Sequence, residues 1–340
     1  MLINRKSLLD QLLAVTPGLS PKEIIEQSAS FIFRDGRVVT FNDEVACSIE
    51  CKLGISGAVV ANPLLALLGR LEEDEVSVEQ SGGELLVKSG RRKAGIRMDS
   101  EVVLPIDAIE DPKEWRELHS DFLEAIAVVR GCASSNESEF MLTCVHIHPE
   151  WIEACDQFQV ARYPLATGLK ESTLVRSSSL KSVLGLDVKE FSQTANWLHF
   201  RNPAGLVLSC RRYSRKYKIL DEYLDVDGPK VTLPDGLQEI VNKAQIFSSA
   251  GDDGNLITVE LRSGKIRLSG RGSNGWYSEV QEMKGYDGDG MKFAIAPSLL
   301  IEMSKRASTC KVTLGRLKIQ TKKWVCVVCT SVVKDQNNDA

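Results

Sequence analysis

The chain has 340 residues, of which 43% are hydrophobic, so it is long enough to bury a core in two or three domains. No apolar run approaches the roughly 20 residues that cross a bilayer, and charged residues interrupt the N-terminal stretch where a signal peptide would be apolar, so we expect a cytoplasmic protein with no membrane segment. The formal net charge of −4 excludes a general attraction to nucleic acid, so any DNA binding must come from an uneven distribution of charge.

An amphipathic helix followed by a hairpin-like run is predicted three times along the chain. The hairpin runs are FIFRDGRVVTF, MLTCVHIHPEWIEAC and LITVELRSGKIRLSG, and Asp35-Gly36 and Ser263-Gly264 supply turn residues in the first and third. The apolar stripes of the three helices are Leu8, Leu12 and Val15; Leu118, Phe122, Ile126 and Val129; and Leu237, Val241, Ala244 and Phe247.

A second helix followed at once by strands is also predicted three times. The helices are ANPLLALLGRL, SSSLKSVLGL and APSLLIEMSKRAS, and their leading residues Leu64, Leu180 and Leu299 lie 116 and 119 positions apart. Each unit is therefore about 110 residues of helix, strands, helix and strands, the size of one domain. We predict domains at 1–115, 116–230 and 231–334, followed by a polar tail at 335–340. The alternative is that such runs occur by chance in an α+β protein, and the repeated order argues against it.

Several segments, in the same order, resemble the bacterial replicative sliding clamp, the beta subunit of the DNA polymerase III holoenzyme. The segment RKSLLDQLLAVTPGLSPKEIIEQSASFIF resembles the opening helix and loop of that family, FNDEV an early strand, KAQIFSSAGDDGNLITVEL the third-domain helix and strand, and WVCVVCTSVV the closing strand. The resemblance implies an α+β fold of three tandem DNA-clamp domains, with helices lining a ring and antiparallel sheets outside. Six domains close such a ring, which implies a head-to-tail homodimer.

The same resemblance implies a processivity factor that encircles duplex DNA without reading its sequence. Lysines and arginines on the lining helices would attract phosphates, although a charged helix position is more often simply solvated. Acidic residues share these helices, so the hole is expected to be only mildly basic. The candidates for DNA contact are Arg5, Lys6, Lys22, Arg70, Lys181, Lys243, Lys305 and Arg306.

Partner proteins of this family, a DNA polymerase and a clamp loader among them, insert a short apolar peptide into a groove. In this chain the family's Gly-His-Arg-Leu becomes Gln-Phe-Gln-Val, so a cation is lost, and the peptide preference is expected to differ, as it would in a divergent clamp encoded by a phage or other mobile element. These residues could also be ordinary strand residues. The groove residues implied are Cys155, Asp156, Gln157, Phe158, Gln159, Val160, Val327, Val328 and Cys329.

The resemblance also implies that Ile246 and Phe247 supply an apolar contact at the joint between two subunits. Phe247 could equally belong to the core beneath its own helix, because a helix stripe normally faces inward.

Patterns that would indicate an enzyme or a metal site are not supported by their contexts. Gly270, Gly272 and Gly275 spell G-x-G-x-x-G, but the residues that follow do not begin a helix, which predicts a glycine-rich loop between strands and no nucleotide site. Cys326 and Cys329 would lie on opposite faces of a strand. His146 and His148 share a face without further ligands, so we expect no metal, cofactor or catalytic site. The remaining alternative is a non-enzymatic β-rich structural or adaptor protein with repeated domains.

Overall fold

The structure is a computed structural model that describes residues 1–248 and 255–333. Contacts divide the chain into two compact units, which are described separately below. The first unit contains residues 1–130, 144–151 and 165–216, and the second contains 131–143, 152–164 and 217–340. The predicted polar tail at 335–340 lies outside the described residues.

The elements up to residue 130 are nine strands, two ten-residue helices and one eight-residue helix. Asn4 begins the first helix, since its side chain accepts a hydrogen bond from the amide of Ser7 at 2.9 Å. The elements are β1 (Leu2–Asn4), α1 (Arg5–Ala14), β2 (Ser30–Arg34), β3 (Arg37–Phe41), β4 (Val45–Glu50), β5 (Gly57–Val60), α2 (Ala61–Arg70), β6 (Glu75–Ser81), β7 (Glu84–Ser89), β8 (Arg92–Asp99), β9 (Arg116–Glu117) and α3 (Phe122–Val129).

The later elements repeat the order of strands and helices. Between residues 144 and 213 they are β10 (Cys144–Ile147), β11 (Trp151–Cys155), β12 (Gln159–Pro164), β13 (Thr173–Arg176), α4 (Ser177–Val183), β14 (Glu190–Gln193), β15 (Trp197–Arg201) and β16 (Val207–Tyr213). Beyond them lie α5 (Asp221–Leu224), β17 (Lys230–Thr232), α6 (Leu237–Gln245), β18 (Ile257–Arg262), β19 (Lys265–Gly272), β20 (Gly275–Glu282), β21 (Met291–Ile295), α7 (Pro297–Arg306), β22 (Thr309–Thr313), β23 (Arg316–Gln320), β24 (Val325–Cys329) and β25 (Ser331–Val332).

The predicted turns form where the sequence places them. Asp35 and Gly36 both have positive φ, 51° and 70°, which is the backbone that a two-residue turn requires between the antiparallel strands β2 and β3. Gly264 has φ +71° between β18 and β19. Glycine at these positions relieves the steric cost of a left-handed backbone.

The predicted helix stripes face the core. Leu8, Leu12 and Val15 are buried, as are Phe122, Ile126 and Val129 in the second stripe and Leu237, Val241 and Ala244 in the third. In the other set of helices Leu64 and Leu180 are buried, whereas Leu299 is half-buried and its neighbour Leu300 takes the core position. The helices then pack in three pairs, α1 with α2, α3 with α4 and α6 with α7.

Strands from neighbouring repeats pair with each other within each unit. In the first unit β16 runs antiparallel to β4, with Val207 opposite Ser48. In the second unit β12 runs antiparallel to β24, with Gln159 opposite Val328. Strands of the middle repeat thus pair with the first repeat in one sheet and with the third repeat in another.

The core of the first unit also contains side chains from two repeats, the first and the middle one. Trp197, from the middle repeat, packs in a buried cluster with Ile32 and Phe41, and its ring lies 6.0 Å from that of Phe41 in an edge-to-face arrangement. Its indole Nε1 donates to the carbonyl of Ala108 at 3.3 Å, so the one polar atom of the ring is satisfied.

Candidate DNA-contacting helices and partner groove

Of the candidate DNA contacts, five are exposed at the surface and three are held by protein contacts. The exposed side chains are those of Lys6 in α1, Lys22 in the loop after it, Arg70 at the end of α2, Lys181 in α4 and Lys305 in α7. Lys305 forms an ion pair with Glu302 at 2.7 Å on the same helix. Exposed ion pairs of this kind contribute little and exchange readily, so the pair with Glu302 leaves Lys305 accessible, and DNA contact by these five cations stays a prediction.

Arg5 supports the pairing of α1 with α2. Its Nε donates to the carbonyl of Glu73 and its Nη1 to the carbonyl of Leu68, both at 2.9 Å. Leu68 lies in the last turn of α2, where helix carbonyls have no partner within the helix. Much of the hydrogen-bonding capacity of Arg5 is therefore used inside the unit.

Lys243 and Arg306 also have partners within the protein. Lys243 lies 3.3 Å from Glu239 and 3.8 Å from Glu279. Arg306 is half-buried, and its Nη1 donates to the Sγ atoms of Cys132 and Cys326 at 3.7 and 3.9 Å. A role for these two residues in DNA binding stays a prediction, and their contacts make them weaker candidates than the five exposed cations.

A groove with a volume of about 290 Å³ lies in the second unit and contains most of the predicted partner-site residues. Val160 of β12 and Val327 of β24 are buried in its floor, and Leu220 before α5 joins them. The residues that line it are Cys155, Asp156, Gln157, Gln159, Val160, Lys218, Leu220, Tyr223, Arg316, Val327 and Cys329.

Two of the predicted groove residues lie elsewhere. Phe158 does not line the groove and is 59% exposed in the turn before β12, and the side chain of Val328 is buried in the sheet away from it. The alternation of a strand explains this difference, since Val328 follows Val327 and points to the opposite face. The groove is also lined by residues that the sequence did not predict, because only the tertiary structure brings their segments to β12 and β24: Lys218, Leu220, Tyr223 and Arg316.

Asp156 stabilises the turn beside the groove, and Tyr217 forms a hydrogen bond with the strand residue that precedes this turn. Oδ1 of Asp156 accepts from the amides of Phe158 and Gln159 at 2.7 and 2.8 Å. The hydroxyl of Tyr217 accepts from the amide of Cys155 at 3.1 Å, and burial raises the pKa of both the Cys155 thiol and the Tyr217 phenol. Both groups are therefore neutral at physiological pH.

Two sheet edges carry exposed side chains of different character, one apolar and one basic. In the five-stranded sheet of the second unit, β20 is an edge strand that pairs only with β19 among the described residues. Trp276 and Val280 are exposed on it, at 65% and 47%. In the first unit β8 pairs with β7 through Arg92–Arg97, and its contact with β5 is confined to Met98 and Asp99, so its basic stretch has a free side within the described chain.

The two residues predicted for the subunit joint lie beside β20. Ile246, just beyond α6, is 76% exposed. Phe247 is half-buried, and its ring lies 3.3 Å from the position that a Cβ on Gly275 would occupy. Phe247 thus packs against the edge strand, and its share in a subunit contact stays a prediction. Exposed Trp276 and Val280 were missed, although the alternation in GWYSEVQE is a signal that could have indicated them.

The sequence matches no protein-family model and no curated protein. Solved structures, in contrast, match over nearly the whole chain. The beta chain of DNA polymerase III from Streptococcus pneumoniae TIGR4 has a TM-score of 0.86 at 15% identity, covering 98% of this chain and 99% of that one. The DNA polymerase sliding clamp from Bacillus subtilis has a TM-score of 0.84 at 12% identity, with coverage of 98% and 99%. The DNA polymerase III beta subunit from Thermotoga maritima has a TM-score of 0.82 at 15% identity, also with coverage of 98% and 99%.

The chain has the sliding-clamp fold. Within this fold the G-x-G-x-x-G sequence is a hairpin, since Gly272 pairs with Gly275 where β19 turns into β20. A Cβ on Gly270 would lie 1.9 Å from the carbonyl oxygen of Ala244, so this glycine permits α6 to pack closely on the sheet. The segment does connect two strands, but its three glycines lie in β19 and β20 and only Ser273 and Asn274 form the turn, so the prediction of a glycine-rich loop was wrong in that detail.

The other motifs also have structural explanations in the clamp fold. Cys326 is buried and Cys329 is exposed, which confirms that they face opposite sides of β24. The ring of His148 stacks on Trp151 at 3.6 Å. The described residues contain no group of three or more side chains arranged to hold a metal ion. None of the helices in that part of the chain has the length and apolarity needed to span a membrane.

Proposed function

We propose that this chain is a DNA sliding clamp, a processivity factor that encircles duplex DNA and tethers a DNA polymerase and other DNA-processing proteins. The observation that supports it most strongly is the likeness of fold to bacterial clamps over 98% of the chain, at TM-scores of 0.81 to 0.86. Each of the three helix pairs carries an exposed cation that can attract phosphates without reading bases. We propose no catalytic role, and we place the protein in the cytoplasm; the low identity to bacterial clamps fits a divergent clamp of phage or other mobile origin.

A test of topological binding can avoid the need for a clamp loader. Linear duplex DNA with biotin at both ends is mixed with the protein, so that a ring can thread over an end, and streptavidin then blocks both ends. We expect the protein to stay on blocked DNA in high salt and to leave it after a restriction cut. Equal release from blocked and unblocked DNA would contradict the proposal.

We further propose that the ring is a head-to-tail homodimer in which β20 of one copy pairs with β8 of the other. β8 carries Arg92, Lys93 and Arg97, and β20 carries Glu279 and Glu282. Arg92 already pairs with Glu73, Arg97 with Asp99 and Glu279 with Lys243, so the two edges would attract each other through exposed Lys93 and Glu282 and through exchange of those exposed ion pairs. Trp276 and Val280 would become buried at the joint, together with Ile246 beside it. Buried aromatic residues are the side chains that contribute most to such contacts.

The native mass of the protein in solution tests whether it forms a dimer. Trp276→Glu should convert the dimer to a monomer, because it places a charge in the proposed contact. Leu314→Glu is the matched control, since Leu314 is 61% exposed in the turn between β22 and β23 and lies on neither edge. A dimer that survives Trp276→Glu would contradict this joint. A monomeric wild-type protein without salt-sensitive DNA association would favour the alternative, a structural or adaptor protein.

A further inference from the structure

The groove of the second unit has an apolar floor and a cationic side. Val160, Leu220 and Val327 provide buried hydrocarbon surface, and the ring of Tyr223 stands half-exposed beside them. The charged side chains that line the groove are Asp156, Lys218 and Arg316. The hydrogen bonds of these three side chains determine which of their charged groups remain available to a ligand.

The single carboxylate of the groove is already engaged. Oδ1 of Asp156 accepts two backbone amides of the following turn, and its Oδ2 accepts from Nε2 of Gln159 at 3.1 Å. A carboxylate that accepts three hydrogen bonds has little capacity left for a ligand and presents a reduced negative potential to the groove.

The two cations, in contrast, form no ion pair with a carboxylate among the residues that the structure describes. Arg316 donates from Nη1 to the carbonyl of Glu222 at 2.9 Å, and its guanidinium lies over the ring of Tyr223 at 5.8 Å. This contact holds the planar group at the edge of the groove while leaving most of its five N–H donors available. Lys218 is exposed and forms no ion pair within residues 1–248 and 255–333.

We propose that the groove selects peptides in which an apolar side chain is flanked by a carboxylate, with Lys218 and Arg316 as the specificity-determining residues. The apolar side chain would cover Val160 and Val327, and the carboxylate would lie against the two cations. The proposal rests on the role of the groove as a partner site in the proposed function. It also accounts for the cation missing from the turn Gln157–Val160, since Lys218 and Arg316 supply positive charge from other segments.

Fluorescence anisotropy with four short amidated peptides tests the selection. Each carries a Leu-Phe core, with Asp-Asp or Asn-Asn placed either before or after it. In the wild-type protein, the better of the two acidic peptides should bind about tenfold or more tightly than its Asn counterpart, because a hydrogen-bonded charge pair is stronger than a neutral contact. Added salt should reduce this difference.

Substitutions test whether Lys218 and Arg316 cause the preference for acidic peptides. Lys218→Gln and Arg316→Gln should each remove much of the preference for Asp while leaving the Asn peptides unchanged, and Lys322→Gln, at the exposed turn between β23 and β24, should change neither. Equal affinity for Asp and Asn peptides in both orders, or no binding of any of the four, would overturn the proposal. The blocked-end DNA experiment is independent of the groove, so a failure here leaves the encircling of DNA standing.

Discussion

Nη1 of Arg306 lies 3.9 Å from Sγ of Cys326, and the same nitrogen lies 3.7 Å from Sγ of Cys132. No carboxylate forms an ion pair with this guanidinium in the described part of the chain. The hydrogen bond from Cys132 and the charge of Arg306 lower the pKa of the Cys326 thiol, and that of Cys132 is raised in turn. The arginine at the end of α7 is therefore bound to two buried thiols within its own unit.

This contact predicts that Arg306 differs from the exposed cations in DNA binding. Lys6→Gln and Lys181→Gln should each lower the slope of log affinity against log salt by about 0.9, the change expected for one lost phosphate contact. Arg306→Gln should leave the slope unchanged, because its guanidinium is turned toward Cys132 and Cys326. Titration of a labelled duplex at several salt concentrations measures the slopes. An equal loss for all three variants would show that Arg306 also contacts phosphates.

Gly270 is predicted to be intolerant of even one methyl group. Gly270→Ala places a Cβ 1.9 Å from the carbonyl oxygen of Ala244, so α6 must move away from β19, at a cost of about 1–3 kcal/mol in the free energy of unfolding. Gly69→Ala is the control, since nothing lies within 4 Å of its Cβ position in α2. Because alanine is a better helix former than glycine, Gly69→Ala should raise the free energy of unfolding by up to about 1 kcal/mol. Urea denaturation measures both, and a neutral Gly270→Ala would contradict the close packing of α6.

His199 is predicted to make the stability of the first unit depend on pH. Burial lowers the pKa of its imidazole from 6.5 to about 4, and its Nδ1 lies 2.7 Å from Oγ of Ser209. Between those two pH values the unfolded chain binds a proton that the folded protein does not, so stability falls as the pH is lowered from 6.5 toward 4. The loss should reach about 3 kcal/mol at the lower end.

Substitution of His199 isolates this contribution. His199→Gln keeps polar atoms near Ser209 but cannot titrate, so it should be less stable than the wild-type protein at neutral pH and should lose less stability on acidification. Urea denaturation of both proteins across that pH range provides the comparison. If the two proteins lose stability in parallel, other groups are responsible for the acid sensitivity.

Asp156 is predicted to act through the turn that it stabilises. Asp156→Ala removes the acceptor for the amides of Phe158 and Gln159 and should cost about 1 kcal/mol of stability. Asp156→Asn keeps an oxygen in the same place and should cost less, while removal of the negative charge should strengthen the binding of the acidic peptides. Denaturation and anisotropy measure the two effects, and equal destabilisation by both variants would show that the charge of Asp156 matters more than its geometry.

The amino-acid sequence alone determined the repeated order of helices and strands, because burial of a helix face or a strand face is recorded in local periodicity. The stripes beginning at Leu8 and Leu237 and the turn at Asp35-Gly36 formed as predicted for this reason. The resemblance of scattered segments then indicated the clamp fold, although few residues are shared with bacterial clamps.

Only the tertiary structure decided which side chains meet. Lys218 and Arg316 reach the groove because α5 and β23 lie beside β12 and β24, a relationship between distant segments that has no period along the chain. For the same reason the sequence could not tell that Arg306 faces Cys132 and Cys326, since a charged residue at a helix end looks alike whether it meets solvent or a buried thiol. Local sequence patterns predict the helices and strands. The long-range packing of those elements determines which charged side chains are exposed to DNA and to partner peptides.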